Sequence, residues 1–292
     1  MPEIAEMMSR LAAHEGKTET GLPGVRLYKT SGSIRRTPLL YQQGLIILGQ
    51  GAKLVHFGGR VYQYDQDHYL ALSVPIAAEC EAVASPEKPL LSLVVDIDLG
   101  VLNEVIGQIE DRIDYRSLTQ GCTHQGLFLA RADAAFRNTV LRLLMALACP
   151  LETQVLGPGL VRELLFRVLC GENAAALHAL ATRNTNMSRI EKALKQIHGN
   201  FSEPFNVDQL AGFVNMSPST FHRAFKDVTA FSPIQYLKRV RLNKARSLLR
   251  ENGVRASEAA RMVGYESVSQ FSREFRRYFG ISPSHAGGVT GE

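Results

Sequence analysis

The last hundred residues carry one pattern twice, about 50 positions apart. The first copy runs Leu210-Ala211-Gly212-Phe213-Val214-Asn215-Met216-Ser217, continues as Phe221-His222-Arg223-Ala224-Phe225-Lys226 and closes at Ser232-Pro233. The second runs Ala260-Arg261-Met262-Val263-Gly264-Tyr265-Glu266-Ser267, then Phe271-Ser272-Arg273-Glu274-Phe275-Arg276, and closes at Ser282-Pro283. Ala211/Ala260 and Val214/Val263 match at an offset of 49. One extra residue at the turn moves Phe221/Phe271, Arg223/Arg273, Phe225/Phe275 and Pro233/Pro283 to an offset of 50. A short helix cannot bury its apolar stripe alone, so each copy needs a partner helix across a tight turn. Basic residues on the second helix of each pair are what a helix-turn-helix presents to a major groove.

Each second helix is capped by its own sequence. Ser217-Pro218 supplies a hydroxyl N-cap and a proline at the first helical position, where no amide bond is lost. Phe221, Ala224, Phe225 and Val228 then face inward, as do Phe271, Phe275 and Tyr278 in the second unit. Ser219, His222 and Arg223 in one unit, and Ser269, Gln270 and Arg273 in the other, sit in the early turns that reach base edges. Val268 is placed to touch a thymine methyl. Ser217, Lys226, Ser267, Arg276 and Arg277 are assigned to phosphates.

Between the copies, Tyr236, Leu237, Val240, Leu242, Ala245, Leu248 and Leu249 mark a helix from Ser232-Pro233 to about Glu251. Some 18 helical residues span ~27 Å at ~1.5 Å each. Successive major grooves on one face of B-DNA lie ~34 Å apart, so a rod of this length suits two adjacent grooves and a site of roughly 17–20 base pairs.

Charge follows the same division. Residues 1–185 hold 17 Lys+Arg against 19 Asp+Glu, whereas residues 186–292 hold 16 against 9, within an overall net charge of +5. A near-neutral half joined to a basic half fits a sensing or assembly domain attached to a polyanion binder.

The amino-terminal half is patterned differently. Ile4, Met7, Met8 and Leu11 mark a short amphipathic helix. From Leu22 to about Asp98, β-type runs alternate with turn residues: 25–28, 44–48, 53–57, 69–73 and 90–95. Gly58-Gly59 between two alternating runs is a hairpin signal. Such spacing predicts a small sandwich or jelly-roll barrel. Helical periodicity takes over from Leu99: Val101, Val105 and Ile109 form one stripe, and Phe136, Val140, Leu143, Leu144 and Leu147 a second, ended by Pro150. A third, from about Gly159 to Cys170, carries Leu160, Leu164, Leu165 and Val168. The 136–147 helix is the candidate dimer interface, and the polar stretch 181–186 reads as an interdomain linker.

At LAGFVNMSPSTFHRAFKDVTAFSPIQYLKRVRLNKARSLL and AARMVGYESVSQFSREFRRYFGISP the chain resembles the AraC family of bacterial transcription regulators, over about 190–286. That family often has Gly where this chain has Ala230 and Ile where it has Ala259. LPGVRLYKTSG, ILGQGAKLVHFGGRVYQYDQDHYLALSVPI and EAVASPEKPLLSLVVDID are similar to the amino-terminal domain of one branch of it, over about 20–100. The resemblance implies an α+β chain: a cupin-like β-barrel with accessory helices, plus an all-α domain of two helix-turn-helix units joined by a long helix. It further implies a homodimer on double-stranded DNA that works with RNA polymerase, most often as an activator, and answers to a small-molecule effector. The expected division is 1–182 for sensing and dimerisation (barrel about 20–98, helices about 99–182) and 187–286 for DNA binding.

Enzymatic signatures are missing. No His-x-His pair accompanies His56 or His68, and no Walker loop, GxGxxG, nucleophile elbow or paired catalytic carboxylates occur, so neither metal nor cofactor is expected. His56, Tyr62, Tyr64, Tyr69 and Cys80 are the candidate lining of an effector pocket. Cys149 and Cys170 lie in apolar helical runs and read as buried thiols, while Cys80 and Cys122 are candidates for a sensing thiol. The alternative reading is a regulator without a small-molecule ligand, controlled by a protein partner or by cysteine modification. The polar amino terminus and the lack of an apolar run of 18 residues point away from a membrane and to a cytoplasmic, nucleoid-associated protein.

Overall fold

The structure is a computed structural model that describes residues 2–109, 125–171, 174–182, 185–251 and 253–287. Helix α1 (Pro2–Leu11) presents Ile4 and Met8 to the strands beneath it. The strands follow as β1 (Gly16–Glu19), β2 (Val25–Thr30), β3 (Ile34–Tyr41), β4 (Gly44–Gln50), β5 (Lys53–Phe57), β6 (Arg60–Tyr64), β7 (His68–Leu72), β8 (Ile76–Ala82) and β9 (Leu90–Asp96). After α2 (Leu99–Ile109) a tenth strand, β10 (Leu127–Arg131), precedes α3 (Ala134–Leu147), α4 (Pro150–Leu169) and α5 (Ala174–Ala181).

All the pairings are antiparallel, and they build two sheets, β1-β2-β9-β4-β7-β10 and β3-β8-β5-β6. Gly58 and Gly59, both at positive φ, make the β5–β6 hairpin turn without a Cβ penalty. β4 is buried along almost its whole length because it is central in its sheet and covered by α1. β10 differs from the helical reading of everything beyond Leu99: residues 127–131 pair with 72–68 of β7. A five-residue apolar run has no period of its own, so a free sheet edge distant in sequence decides its conformation.

The helical layer differs in three further ways. α4 begins at Pro150 rather than near Gly159 and runs through Pro158. Phe136, Val140, Leu143 and Leu144 of α3 face the core, where Phe136 stacks on Tyr69 at 4.3 Å, so the apolar stripe of the helix expected at a dimer interface packs within the protomer. Cys149 is half-buried and Cys170 exposed, because they flank α4 as its N-cap and C-cap instead of lying on its packed face. Cys80, by contrast, is buried. Cys122 lies outside the described residues, as do residues 183 and 184 of the predicted linker.

Thr185 caps α6 (Asn186–Gly199) by accepting from Ser188 N. Then come α7 (Val207–Phe213), α8 (Pro218–Thr229), α9 (Pro233–Glu251), α10 (Ala256–Met262), α11 (Val268–Phe279) and α12 (Pro283–Gly287). No helix among the described residues is long and apolar enough to cross a membrane.

Two hydrophobic cores divide along α9. Tyr236, Leu237 and Val240 belong, with Phe221, Phe225 and Val228 of α8, to the core that also contains the barrel strands. Leu242, Ala245 and Leu249, with Ala259, Val263, Phe271 and Phe275, form a separate core. The first helical unit is thus packed onto the barrel, and the second is built around the far half of the connector.

Candidate nucleic-acid interface

The sequence repeat is also a backbone repeat. In the first unit Ser217 Oγ accepts from Thr220 N, Phe221 N bonds Ser217 O, and Met216 N bonds Ala211 O. In the second unit Ser267 Oγ accepts from Gln270 N, Phe271 N bonds Ser267 O, and Tyr265 N bonds Ala260 O. The interhelix turns pass through Asn215 (φ 54) and Gly264 (φ 82), and the reading helices end at Ala230 (φ 62) and Gly280 (φ 76). Left-handed residues at matched positions terminate both helices by the same αL cap. Ala230 accepts the cost of a Cβ in this conformation, and its methyl abuts the β5–β6 turn: a Cβ on Gly58 would lie 3.5 Å from Ala230 Cβ.

Helices α8 and α11 bury their aromatic faces completely at Phe221, Phe225, Phe271 and Phe275. Their other faces are open. Ser219, His222 and Arg223 are exposed, as are Ser269, Gln270 and Arg273. Ser217, Lys226, Ser267, Arg276 and Arg277 are exposed as well. Three carry internal duties. Ser217 and Ser267 spend their hydroxyls on helix caps. Gln270 Nε2 donates to Glu274 Oε1 at 3.2 Å, so adenine recognition through Gln270 requires that contact to open.

Glu274 is a hub that sequence reasoning missed. It accepts from Lys238 Nζ at 2.8 Å, from Tyr265 Oη at 2.8 Å and from Gln270. Burial acts to raise its pKa, but these donors outweigh it and hold the carboxyl below its ordinary value. It therefore fixes the reading helix to α9 and to the preceding turn. Arg241 performs the matching task at the base of the unit: its guanidinium donates to Phe201 O (2.7 Å), Gly264 O (3.1 Å) and Glu203 O (2.9 Å). Arg239 lies between the rings of Phe231 and Tyr278, 3.9 and 5.2 Å from their centroids, and so ties the end of the first unit to the second reading helix. These clamps stiffen the rod that spaces the two helices.

The barrel residues separate into different environments. His56 turns to the outer face of β5, where Nε2 meets Glu81 Oε1 at 2.8 Å. Tyr69 points to the helical layer. Tyr62 donates to Gln125 Oε1 at 2.7 Å. Only Tyr64 and Cys80 of the five candidates meet in the interior, and they are joined there by Tyr41 and Lys53, which the sequence reading did not single out. Among the described residues no group of three or more His, Cys, Asp or Glu side chains is placed to hold a metal ion.

Comparison with known proteins gives the same architecture. Residues 21–176, just over half of the chain, match the family described as the AraC-type transcriptional regulator N-terminus, and residues 210–286 match a helix-turn-helix domain. The HTH-type transcriptional regulator GbdR of Pseudomonas aeruginosa is 34% identical over 99 residues, which is 34% of this chain and 27% of that protein. The HTH-type transcriptional activator RhaS of Escherichia coli is 36% identical over 96 residues, 33% of this chain and 34% of its own length. The chain therefore aligns with only about a third or less of these curated relatives. ToxT from Vibrio cholerae, with an unsaturated fatty acid bound, superposes with a TM-score of 0.62 over 92% of this chain and 97% of that one, at 12% identity, a likeness of fold alone. With both matched regions in this order on this backbone, the chain belongs to the family of AraC-type transcriptional regulators and carries a helix-turn-helix domain at its carboxy-terminal end.

Proposed function

We propose that this regulator is a one-component activator in which the barrel senses a small molecule and passes its state directly to the first reading unit. The observation that carries the reading is the continuous core between the strands and α8–α9, since ligand-dependent repacking in the barrel has no boundary to cross before it reaches Phe221 and Phe225. Residues 1–182 form the sensing part and 187–286 the reading part. The activator assignment follows the description of RhaS, and a bound small molecule in the ToxT fold supports an effector here.

On DNA, one protomer places α8 and α11 in adjacent major grooves over roughly 17–20 base pairs, with Arg223 and Arg273 reading guanine edges. Two protomers act together beside RNA polymerase, in the cytoplasm. Selection of bound sequences from a random pool, followed by footprinting, tests the DNA half. Two protected grooves per protomer support it, and a single one overturns the paired-probe geometry. Thermal denaturation of the full chain against fractionated metabolites tests the effector half, because a ligand selective for the native state must raise Tm. No fraction raising Tm or altering DNA affinity would leave a regulator without a small-molecule ligand.

A further inference from the structure

One departure from the repeat lies on the reading helices themselves. The offset of 50 pairs Thr220 with Gln270 and Ala224 with Glu274. Ala224 is buried within its own unit, whereas Glu274 is half-buried on the flank of α11. An acid on a helix that meets a polyanion is repelled by every nearby phosphate, so it weakens binding unless it does something in return. One oxygen of Glu274 takes Lys238 Nζ at 2.8 Å and Gln270 Nε2 at 3.2 Å, and the other takes Tyr265 Oη at 2.8 Å. Lys238 belongs to α9 and Tyr265 to the turn before α11, so the carboxylate is anchored from outside the helix that carries it.

The Gln270 amide has two ends of opposite character, a carbonyl that accepts and an NH2 that donates. A carboxylate only accepts, and the donors around Glu274 hold its pKa below the ordinary value, so it stays ionised. The end of the amide that faces Glu274 is therefore the nitrogen. With that end drawn along the helix toward residue 274, the oxygen is left outward, at an exposed position in the first turn. The cap holds that position: Gln270 N donates to Ser267 Oγ. Base edges in the major groove differ in the property this oxygen reads. Adenine N6 and cytosine N4 are amines that donate, and at the corresponding place guanine O6 and thymine O4 accept.

We infer that Glu274 is a positioning residue for base recognition: it turns the Gln270 amide so that the second reading helix presents an acceptor and selects adenine or cytosine over guanine or thymine at one base pair. This rests on the reading that α11 lies in a major groove, and it names the base class that one side chain of that helix accepts. The first reading helix has no counterpart, because Ala224 offers no acceptor to Thr220. The two half-sites are therefore read by different rules at equivalent positions, despite the duplicated sequence.

The test measures binding of the full chain to the selected operator and to versions carrying each base in turn across the half-site read by α11. At one base pair the wild type is expected to bind adenine and cytosine about fivefold or more tighter than guanine and thymine, and Gln270→Ala to level all four. Gln270→Glu keeps an outward acceptor, so it should keep that preference at lower overall affinity. Glu274→Met frees the amide to turn over. The preference should then shrink below about twofold, while the separate preference that Arg273→Ala removes is retained. A merely structural Glu274 would move both base pairs together, with a lower Tm, and that result overturns the assignment. Levelling by Gln270→Glu as complete as by Gln270→Ala also overturns it, as does a preference for guanine or thymine in the wild type. Adenine bound about tenfold tighter than cytosine would mark a two-bond contact with the amide turned, and sinks the fixed-acceptor geometry as well. If Arg273→Ala relaxes its own base pair and Gln270→Ala relaxes none, this inference alone fails; if neither variant relaxes any, the groove docking of α11 fails with it.

Discussion

Tyr236 Oη donates to Pro75 O at 2.9 Å, joining the connector of the DNA-reading half to the loop that leads into β8. The same oxygen accepts from His198 Nε2 at 2.8 Å, so a barrel loop, α6 and α9 meet at one phenol. Close by, Gly126 N bonds Val228 O at 3.1 Å, and a Cβ on Gly126 would fall 2.4 Å from Val74 Cγ2. The barrel and the helix-turn-helix units thus share hydrogen bonds as well as a core. Removing the hydroxyl with Tyr236→Phe strands the Pro75 carbonyl and the His198 ring. The expected loss is ~1–3 kcal/mol in urea denaturation. A change under ~0.5 kcal/mol, typical of an uninvolved surface site, would mean that the phenol does not join the two halves.

The same contact sets a pH dependence. Burial, helped by the charge of Lys244, lowers the His198 pKa to about 4 from 6.5. Above pH 6.5 neither the folded nor the unfolded state holds this proton, and the neutral Nε2–H donates to Tyr236. Between about 6.5 and 4 the unfolded chain binds a proton that the folded one refuses, so stability falls as pH falls, and it levels off below about 4. With the ring partly accessible to solvent, the total is ~1–3 kcal/mol. Tm measured from pH 8 to 4 should fall more steeply below 6.5 in the wild type than in His198→Gln. Parallel profiles would rule out this histidine as the cause.

Two glycines at matching left-handed φ give unequal predictions. Gly280 has φ 76 and open space where a Cβ would go, so Gly280→Ala should cost only the conformational penalty, ~1–2 kcal/mol. Gly264 has φ 82, and its Cβ would fall 2.2 Å from Ser202 O, a backbone atom in the loop held by Arg241. Gly264→Ala must displace that loop, so its loss should clearly exceed the other, and DNA binding by the second unit should weaken with it. Equal losses in chemical denaturation would contradict the close approach.

The carboxy-terminal half was legible because local signals agree there: hydroxyl caps, helical apolar spacing and a duplicate copy all specify the same segments. Glu274 and Arg241 were not legible, since their roles depend on which loop folds beside which helix. In the barrel, the alternation Lys53-Leu54-Val55-His56-Phe57 already places Lys53 inside and His56 outside. A charged residue at the start of a strand nevertheless reads as a solvated end, and only the pairing of β3 with β8 brings Tyr41 to it. The placement of β10, and of Cys149 and Cys170 at helix ends rather than in packed faces, likewise follows from tertiary pairing and from where α4 starts.

Arg223 and Arg273 occupy equivalent exposed positions on α8 and α11, one early turn beyond each cap, whereas Lys226 and Arg277 lie nearer the helix ends. Early-turn arginines reach guanine O6 and N7, and later basic residues reach phosphate oxygens. Arg223→Ala and Arg273→Ala should therefore each cost ~1–3 kcal/mol on the selected operator and relax preference at one base pair, in separate half-sites. Lys226→Ala and Arg277→Ala should weaken binding to all sequences alike and reduce the slope of log affinity against log salt by about 1. Binding titrations of the four variants across a salt series, on the selected operator and on singly substituted versions of it, separate the two behaviours. If the arginine variants lose affinity uniformly while the salt slope drops, they contact phosphate and base reading must be reassigned to Ser219, His222, Ser269 and Gln270. Relaxed preference at the same base pair in both arginine variants would mean that the two helices do not read separate grooves.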